Sequence, residues 1–330
     1  MKGILTQARV LYLLDRYTVE EVAGHDGGRN KIFICTLDAN NKYVLRISEL
    51  EDRTEKDYLA ETDFVHYLAA NNAPVADVIA SIHGRLVEMV EEDGKLYYIS
   101  MFAYAKGKLL CENGYRYKVG APIEELFFNT GKTLGAIHRL SKQYSPVRRR
   151  SEYADKYNKE YIDKLIPDDY SELKEAIYKR FDEFAKLPKD KESYGLVHFD
   201  FSDGNYHINF LTGEITVFAF DICMYCGYMF DLANLWTHGV GWCHGINSPE
   251  KRLDYMHHYF ETVLSGYVTE TKVPEKLLAK LPLFIDMVLI ENIVDEFECA
   301  AREGEELDYE DIEDAAECLI NSIPYAGVGR

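Results

Sequence analysis

Between Gly195 and Asp221 the sequence combines acidic and amide side chains with runs of apolar residues, in the stretch GLVHFDFSDGNYHINFLTGEITVFAFD. Apolar runs of this kind usually form buried strands, where an unpaired carboxylate is costly because it loses its hydration. Core packing does not need these acids. The stretch is therefore the first candidate for a functional site.

The polar residues in this stretch have types and a spacing that suit phosphoryl transfer. His198, Asp200 and Asn205 lie in the segment HFDFSDGN, and Asp221 follows sixteen residues after Asn205, beyond a hairpin predicted to turn at LTGE. In phosphoryl transfer, one carboxylate accepts the proton of the attacking hydroxyl, while an amide oxygen and a second carboxylate hold Mg²⁺ against nucleotide phosphates. The competing interpretation is structural: His198 and Asp200 cap a turn and Asp221 ends a strand.

The elements that precede this stretch predict a small α+β unit in the first hundred residues. A helical pattern covers residues 54–70, and the loops GHDGGRN and DANN are good turn formers. Five segments have the alternation or flanking turns of strands: Val19–Val22, Lys31–Leu37, Tyr43–Ile47, Arg85–Val90 and Leu96–Ala103.

From Pro122 onward the pattern is mainly helical. PIEELFFNTGKTLGAIHRLS has apolar residues at helical spacing, and 151–187 predicts one or two charged helices. SPEKRLDYMHHYFETVL begins with Ser248 as N-cap, and PEKLLAKLPLFIDMVLIENIVDEF predicts one more helix with a kink at Pro282. We therefore divide the chain into an N-terminal unit, 1–103, and a C-terminal unit, 104–330, which contains the predicted hairpin.

Three of these segments resemble a known family. HFDFSDGN, FAFDICMYCGYMFDLANLW and GKTLGAIHRLS are similar to motifs of the kinase-like phosphotransferases, which include aminoglycoside phosphotransferases, choline kinases and homoserine kinase-like enzymes. The resemblance covers nearly the whole chain and implies a bilobal, protein-kinase-like α+β fold. It implies Asp200 as the catalytic base, Asn205 and Asp221 as Mg²⁺ ligands, and His198 and Asp231 as structural support for the loop.

The same resemblance assigns the nucleotide phosphates to the N-terminal unit. VLRIS resembles the strand that carries the phosphate-binding cation, here Arg46, and Glu61 matches the helix acid that orients it. The alternative for this pair is an ordinary surface ion pair, which contributes little to stability. GHDGGRN would cover the phosphates through Gly27 and Gly28, since small residues allow close backbone approach.

The segment MFAYAKGKLLC resembles the family's hinge between the lobes, at residues 104–109. The resemblance implies that backbone groups of Ala103 and Ala105 read the purine of ATP, with GTP left open as an alternative nucleotide. The implied activity is γ-phosphoryl transfer to a hydroxyl of a small molecule of the aminoglycoside, choline or amino-alcohol type.

The composition and net charge disfavour two classes of binding partner. The formal net charge of −19 disfavours nucleic acid and anionic membranes, since both attract cationic surfaces. The N-terminal segment is interrupted by Gln7 and Arg9, unlike a signal peptide, and predicts a short amphipathic helix instead. Seven cysteines, an odd number, indicate reduced thiols, so we expect a cytoplasmic protein. Cys223 and Cys226 form a CxxC without the second ligand pair of a zinc site, which favours ordinary buried thiols.

The C-terminal region raises the question of a cationic substrate. Thirteen acids and one arginine lie between Glu291 and Glu317. We favour a solvated helical face, with an acidic wall for an amine-bearing substrate as the alternative. Trp236, Trp242 and Tyr267 could form a cation–π cage, but core positions are the more usual role of such residues.

Two other functions remain as hypotheses at this point. One is phosphorylation of protein Ser or Thr by the same fold, which the short interval between Asp221 and FDLA disfavours. The other is a catalytically silent nucleotide-binding scaffold, although every expected polar position is filled. The hydroxyl substrate and the oligomeric state are left open by the sequence.

Overall fold

The computed structural model describes residues 2–22, 30–49 and 53–327. Within these ranges, the N-terminal part contains six strands and two helices. The strands of the C-terminal part are short. The strands are β1 (Thr18–Glu21), β2 (Lys31–Thr36), β3 (Lys42–Ser48), β4 (Val78–Ile79), β5 (Glu88–Glu92), β6 (Lys95–Ala103), β7 (Tyr194–Val197), β8 (Tyr206–Ile208), β9 (Ile215–Val217) and β10 (Met224–Gly227).

The helices are longest in the C-terminal part. They are α1 (Lys2–Leu11), α2 (Glu55–Ala70), α3 (Ile123–Ser141), α4 (Tyr153–Lys156), α5 (Lys159–Leu165), α6 (Ser171–Phe184), α7 (Met229–Gly239), α8 (Pro249–Tyr267), α9 (Glu275–Leu278), α10 (Leu281–Glu303) and α11 (Glu313–Asn321). Among the helices of the described ranges, none combines the length and the apolar composition needed to cross a bilayer.

The N-terminal strands form one antiparallel sheet in the order β1-β2-β3-β6-β4, with β5 also pairing with β6. The five predicted strands and the helix α2 are confirmed. The fourth predicted strand begins at Glu88 rather than at Arg85, because residues 81–85 form a turn in which Gly84 has φ 72°. The two-residue strand β4 is too short to be recognised from an alternating pattern.

The C-terminal part is mainly helical and contains the predicted hairpin. β8 and β9 pair antiparallel, and the turn between them has Gly213 at φ 82°, a left-handed conformation that glycine adopts without a Cβ clash. Ser248 caps α8 by accepting the backbone N–H of Lys251, as expected. β7 and β10 form a second two-stranded ladder, which brackets the hairpin in sequence.

The predicted kink at Pro282 is wrong. The structure ends α9 at Leu278 and begins α10 at Leu281, so Pro282 lies in the first turn of a new helix. Proline fits there because the first turn of a helix has no intrahelical acceptor for its backbone nitrogen.

The larger hydrophobic core extends from the helical part into α2. Phe64, Val65 and Leu68 of α2 belong to the same buried cluster as residues of α3, α7, α8 and α10. After α2, Val75 forms a parallel bridge with Val217, and the backbone N–H of Val217 donates to the carbonyl of Pro74 at 2.8 Å. The end of α2 is therefore packed with the helical part, while its beginning faces the sheet.

Candidate active site

The loop after β7 is held by one buried carboxylate. Both oxygens of Asp231 on α7 accept backbone N–H groups, from His198 and from Phe199, each at 2.8 Å. Phe199 has φ 76°, an unfavourable value for a bulky residue, and its carbonyl accepts the Asn234 side chain at 2.5 Å. These three bonds keep the strained turn in place and so fix the position of Asp200 directly after it.

A second histidine holds Asp231 from the other side. Burial lowers the pKa of His138, although the adjacent Asp231 carboxylate opposes the shift, so the imidazole is neutral at pH 7. Its Nε2–H donates to Asp231 at 2.9 Å, and its Nδ1 accepts the hydroxyl of Tyr267 at 2.9 Å. Asp231 thus has three hydrogen-bond donors and no exposed surface.

His198 connects the loop to the strand that leads to Asp221. Its ring is completely buried, and Nε2 lies 2.8 Å from the carbonyl of Phe218. Because a carbonyl can only accept, Nε2 carries the proton, and Nδ1 is a buried acceptor without a donor among the described residues. The backbone N–H of Phe218 also donates to the carbonyl of Asn205 at 2.9 Å, so the two polar segments are joined twice.

Asp200 and Asn205 are in direct contact. The Asn205 side-chain amide donates to the backbone carbonyl of Asp200 at 2.9 Å and to its Oδ2 at 2.7 Å. This orientation commits the nitrogen of the amide to Asp200 and leaves Oδ1 as the group able to bind a cation. Asp200 itself is only partly buried, which is compatible with its predicted role as a proton acceptor.

Asp221 lies where the sheet and the helical part meet. Its Oδ2 accepts Asn30 Nδ2 at 3.3 Å and lies 3.5 Å from Nη2 of Arg53. Asn30 is in turn oriented by Ser48 on β3, whose hydroxyl donates to Asn30 Oδ1 at 2.6 Å. One carboxylate therefore receives donors from two separate segments of the N-terminal part.

The donor set fits magnesium better than zinc. Mg²⁺ is commonly bound by one or two carboxylates together with substrate phosphates, and Asp221 with the amide oxygen of Asn205 supplies such hard ligands. Groups of three or more His, Cys, Asp or Glu arranged around a metal position are absent from the described ranges. Cys223 and Cys226 are buried free thiols, and burial raises the pKa of Cys223 to about 12, which disfavours the thiolate that zinc binds.

Arg46 and Glu61 form a buried bidentate ion pair. Their N–O distances are 2.7 and 2.8 Å, and the two residues are 5% and 1% exposed. Burial alone would lower the pKa of Arg46, but the Glu61 carboxylate, with a further contribution from Asp221, raises it. The surface-pair alternative is therefore wrong: β3 and α2 are joined at the site by a desolvated pair.

We expect Glu61→Gln to lower the free energy of unfolding by about 3–5 kcal/mol, because it leaves the buried Arg46 charge without its partner. Urea denaturation followed by circular dichroism measures this loss. Asp63→Asn is the matched control on the same helix, since it breaks the exposed pair with Arg148 at 3.0 Å and should cost less than about 1 kcal/mol. Equal losses in the two variants would contradict the prediction.

At the predicted hinge, two backbone groups are already engaged. The N–H of Ala103 donates to the carbonyl of Asp77 at 2.7 Å, and the carbonyl of Ala105 lies 2.8 Å from Nδ1 of His207, which donates to it. Gly27 and Gly28, predicted to cover the phosphates, lie outside the described residues.

Arg150 was not found by sequence reasoning, although it positions the Asp221 segment. It is buried, and its guanidinium donates to three carbonyls, those of Cys223 at 2.7 Å, Asp57 at 3.0 Å and Asp221 at 2.8 Å. It therefore ties the start of α2 to the Asp221 loop. In sequence it is the last arginine of VRRR, which has the composition of a solvated basic run.

The acidic C-terminal run divides into two parts. Glu291, Asp295 and Glu298 share one face of α10, whereas most acids from Glu303 onward are exposed. Burial raises the pKa of Glu291 to about 8, with further contributions from Asp295 and from Asp200. Glu291 thus lies close enough to the loop to interact with Asp200, while the later acids form the predicted solvated face.

The three aromatics considered for a cation–π cage do not form one. Trp236 is buried and donates from its indole nitrogen to the carbonyl of Tyr325 at 2.7 Å, and Tyr267 is buried against His138. Trp242 packs edge-on against Phe127, with ring centroids 5.4 Å apart. The predicted core role is confirmed for Trp236 and Tyr267.

Comparison with known proteins agrees with this architecture. The model of the APH phosphotransferase enzyme family matches residues 21–267. Amicoumacin kinase of Bacillus subtilis (strain 168) is 26% identical over 289 residues, which cover 86% of this chain and 80% of that protein.

Solved structures give the same picture of the fold. The amicoumacin kinase hAmiN, in complex with AMP-PNP, Ca²⁺ and Ami, superposes with a TM-score of 0.81 at 22% identity, covering 98% of this chain and 94% of that one. A microcompartment-associated aminopropanol kinase has a TM-score of 0.72 at 17% identity, covering 99% of this chain and 100% of that one. The predicted bilobal α+β fold is confirmed. Since the family model spans well over half of the sequence, the chain belongs to the phosphotransferase enzyme family.

Proposed function

We propose that the protein transfers the γ-phosphoryl group of ATP, with Mg²⁺, to a hydroxyl of a small amine-bearing molecule. The observation that carries the proposal is the contact between Asp200 and Asn205 on a braced loop, with Asp221 on the adjoining segment. A proton acceptor and two hard oxygen ligands then lie within one small region, as phosphoryl transfer requires.

Each polar residue has a separate task in this reaction. Asp200 accepts the proton of the attacking hydroxyl, and Asn205 keeps the Asp200 side chain oriented through the bond to Oδ2. Asp221 and Asn205 would hold Mg²⁺, which would supply charge neutralisation of the phosphates. Arg46, held by Glu61, provides a fixed positive charge beside Asp221. Catalysis is then mainly positioning and charge neutralisation.

At the hinge, some backbone groups already have partners, which limits the groups that can form hydrogen bonds with a purine. Since the Ala103 N–H and the Ala105 carbonyl have partners within the protein, we assign purine contacts to the Ala103 carbonyl and the Ala105 N–H. That pair offers one acceptor and one donor, which match the amino group and ring nitrogen of adenine. ATP is accordingly the proposed donor, and GTP the alternative.

The acidic face of α10 supports a cationic acceptor. The Asp200 carboxylate contributes, after burial and Asp295, to the raised pKa of Glu291, so an amine beside Glu291 would lie near the hydroxyl that Asp200 deprotonates. An aromatic ring, that of Tyr157, lies near the same face of α10, since burial and the carboxylates of α10 raise the pKa of its hydroxyl. Names of similar proteins point the same way, since one is an aminopropanol kinase.

A screen with Mg²⁺ and γ-labelled ATP tests the proposal directly. The acceptors are aminoglycosides, choline, ethanolamine, aminopropanol and homoserine, with sugars as amine-free controls. We expect label on an amine-bearing alcohol and none on its deoxy analogue. Transfer only to protein serine or threonine, or failure to bind ATP, would contradict the proposed function. Only seven residues separate Asp221 from α7, which leaves no room for a long activation segment.

Glu291→Gln should change how stability depends on pH. Folding raises the pKa of Glu291 from 4.5 to about 8, so its stabilising contribution is complete below about pH 4.5 and is lost as pH rises through about 8. The variant lacks that loss and should be more stable than the wild type near pH 9, with the difference shrinking toward pH 5. Thermal unfolding at several pH values measures it.

The control for this variant is Glu305→Gln, at an exposed glutamate of the same acidic run, which should leave the pH dependence unchanged. Above about pH 8, where the Glu291 carboxylate is charged, Glu291→Gln should also raise KM for an amine-bearing acceptor and leave KM for ATP unchanged. Parallel stability curves for the wild type and Glu291→Gln would refute the assigned environment of this carboxyl.

A further inference from the structure

Arg53 has a buried guanidinium that the protein itself only partly satisfies. It lies between β3 and α2, its side chain is 8% exposed, and Nη2 is 3.5 Å from Oδ2 of Asp221. Nη1 is buried and has no hydrogen-bond partner among the described residues. Guanidinium always carries its charge and offers donors in a planar fork that matches carboxylates and phosphates.

Among the described residues, the carboxylates of Glu61 and Asp221 in this part of the site are already shared with other donors. Glu61 uses both oxygens on Arg46. The Oδ2 atom of Asp221, which Arg53 approaches, also accepts Asn30. A buried cation with an unpaired donor is costly unless an anion binds there, so an anionic ligand would satisfy the donor that Nη1 leaves unpaired.

The charge balance at Asp221 identifies the kind of anion. If a divalent cation binds Asp221, as the proposed function requires, Arg53 at its present distance is repelled, because two cations then face one carboxylate. The arrangement becomes favourable again when a phosphate lies between them, since its oxygens accept from guanidinium and coordinate the metal.

We propose that Arg53 is a phosphate-binding residue that pairs with Asp221 when the site is empty and moves to the terminal phosphates of the metal–nucleotide complex when it binds. This inference rests on the proposed function. It adds Arg53 to the phosphate-binding residues, together with the change of its partner from Asp221 to phosphate. While no nucleotide is bound, Arg53 then pairs with the Asp221 carboxylate and competes with metal cations for it. Arg46 differs from Arg53, because it keeps its ion pair with Glu61 both before and after the nucleotide binds.

Two binding measurements without turnover test this exchange, with Arg53→Gln as the variant. Isothermal titration of a non-hydrolysable ATP analogue and of AMP, both with Mg²⁺, reports contact with the terminal phosphates. We expect about tenfold to hundredfold weaker binding of the ATP analogue, the range for a lost charged hydrogen bond, and little change for AMP. Mn²⁺ binding to the nucleotide-free protein, followed by electron paramagnetic resonance, should become severalfold tighter because Asp221 loses its competitor.

Arg148→Gln is the matched control, since it removes an arginine from an exposed pair with α2 and should alter neither measurement. Arg53→Lys keeps the charge without the fork, and should retain part of the preference for the ATP analogue over AMP. The inference is overturned if Arg53→Gln leaves both the ATP-to-AMP affinity ratio and the Mn²⁺ affinity as in the wild type. Failure of the proposed function looks different, because the wild-type protein itself would then bind no nucleotide.

Discussion

Asp200→Asn should lower kcat for phosphoryl transfer by about a hundredfold to ten-thousandfold, the usual contribution of a positioned proton acceptor. The substituted amide has nearly the same shape and can still accept the Asn205 side chain, but it cannot accept the proton of the attacking hydroxyl. The nucleotide should bind with nearly unchanged affinity. Steady-state kinetics on an acceptor from the screen, together with ATP titration, measures both quantities.

Asp203→Asn is the control for this experiment, because it removes a carboxylate from the same loop three residues later. Its kcat should stay close to that of the wild type, because Asp203 takes no part in the hydrogen bonds that join Asp200, Ser202 and Asn205. If Asp200→Asn retains full phosphoryl transfer, the assignment of the base is wrong. If the two variants lose activity equally, a general loss of loop structure or charge explains both.

Asp231→Asn should lower the free energy of unfolding by about 3–5 kcal/mol. Asp231 is fully buried and accepts from two backbone N–H groups and from the His138 imidazole. An amide has a single acceptor oxygen, so at least one of these donors loses its acceptor and faces the NH₂ group instead. Urea denaturation measures the loss.

Measurements of activity distinguish a role of Asp231 in holding the loop from a role in general stability. Because Asp231 holds the turn at Phe199, the folded fraction of Asp231→Asn should also have reduced kcat, measured at a temperature where the variant remains folded. Asp311→Asn, at an exposed position, is the control and should change neither quantity measurably. An unchanged unfolding midpoint in Asp231→Asn would show that the three hydrogen bonds do not hold the loop.

Local patterns in the sequence predicted much of the fold and the centre of the site. The strands, α2 and the β8–β9 hairpin follow from alternation, turn residues and helical spacing, which depend on neighbours along the chain. The spacing from His198 to Asp221 is also local, because a loop and a short hairpin contain all of it. Elements too short to have a period, such as β4, could not be predicted this way.

Residues that act through distant contacts could not be predicted. Arg150 and Arg53 have no distinguishing local pattern, and their roles arise only when the start of α2 meets the Asp221 segment. Glu291 is an intermediate case. Its spacing from Asp295 and Glu298 is visible in the sequence, but which face of α10 points toward Asp200 depends on packing between helices.

The packing of α2 limits how far the two parts of the molecule can be treated as interchangeable modules. Phe64, Leu68 and Val75 lie in the core of the helical part, although they precede residue 103 in the chain. A fragment cut after residue 103 would expose them to water. A chimera that joins the N-terminal sheet of one relative to the helical part of another must therefore take this segment from the same parent as the helices, or redesign both sides of the contact together.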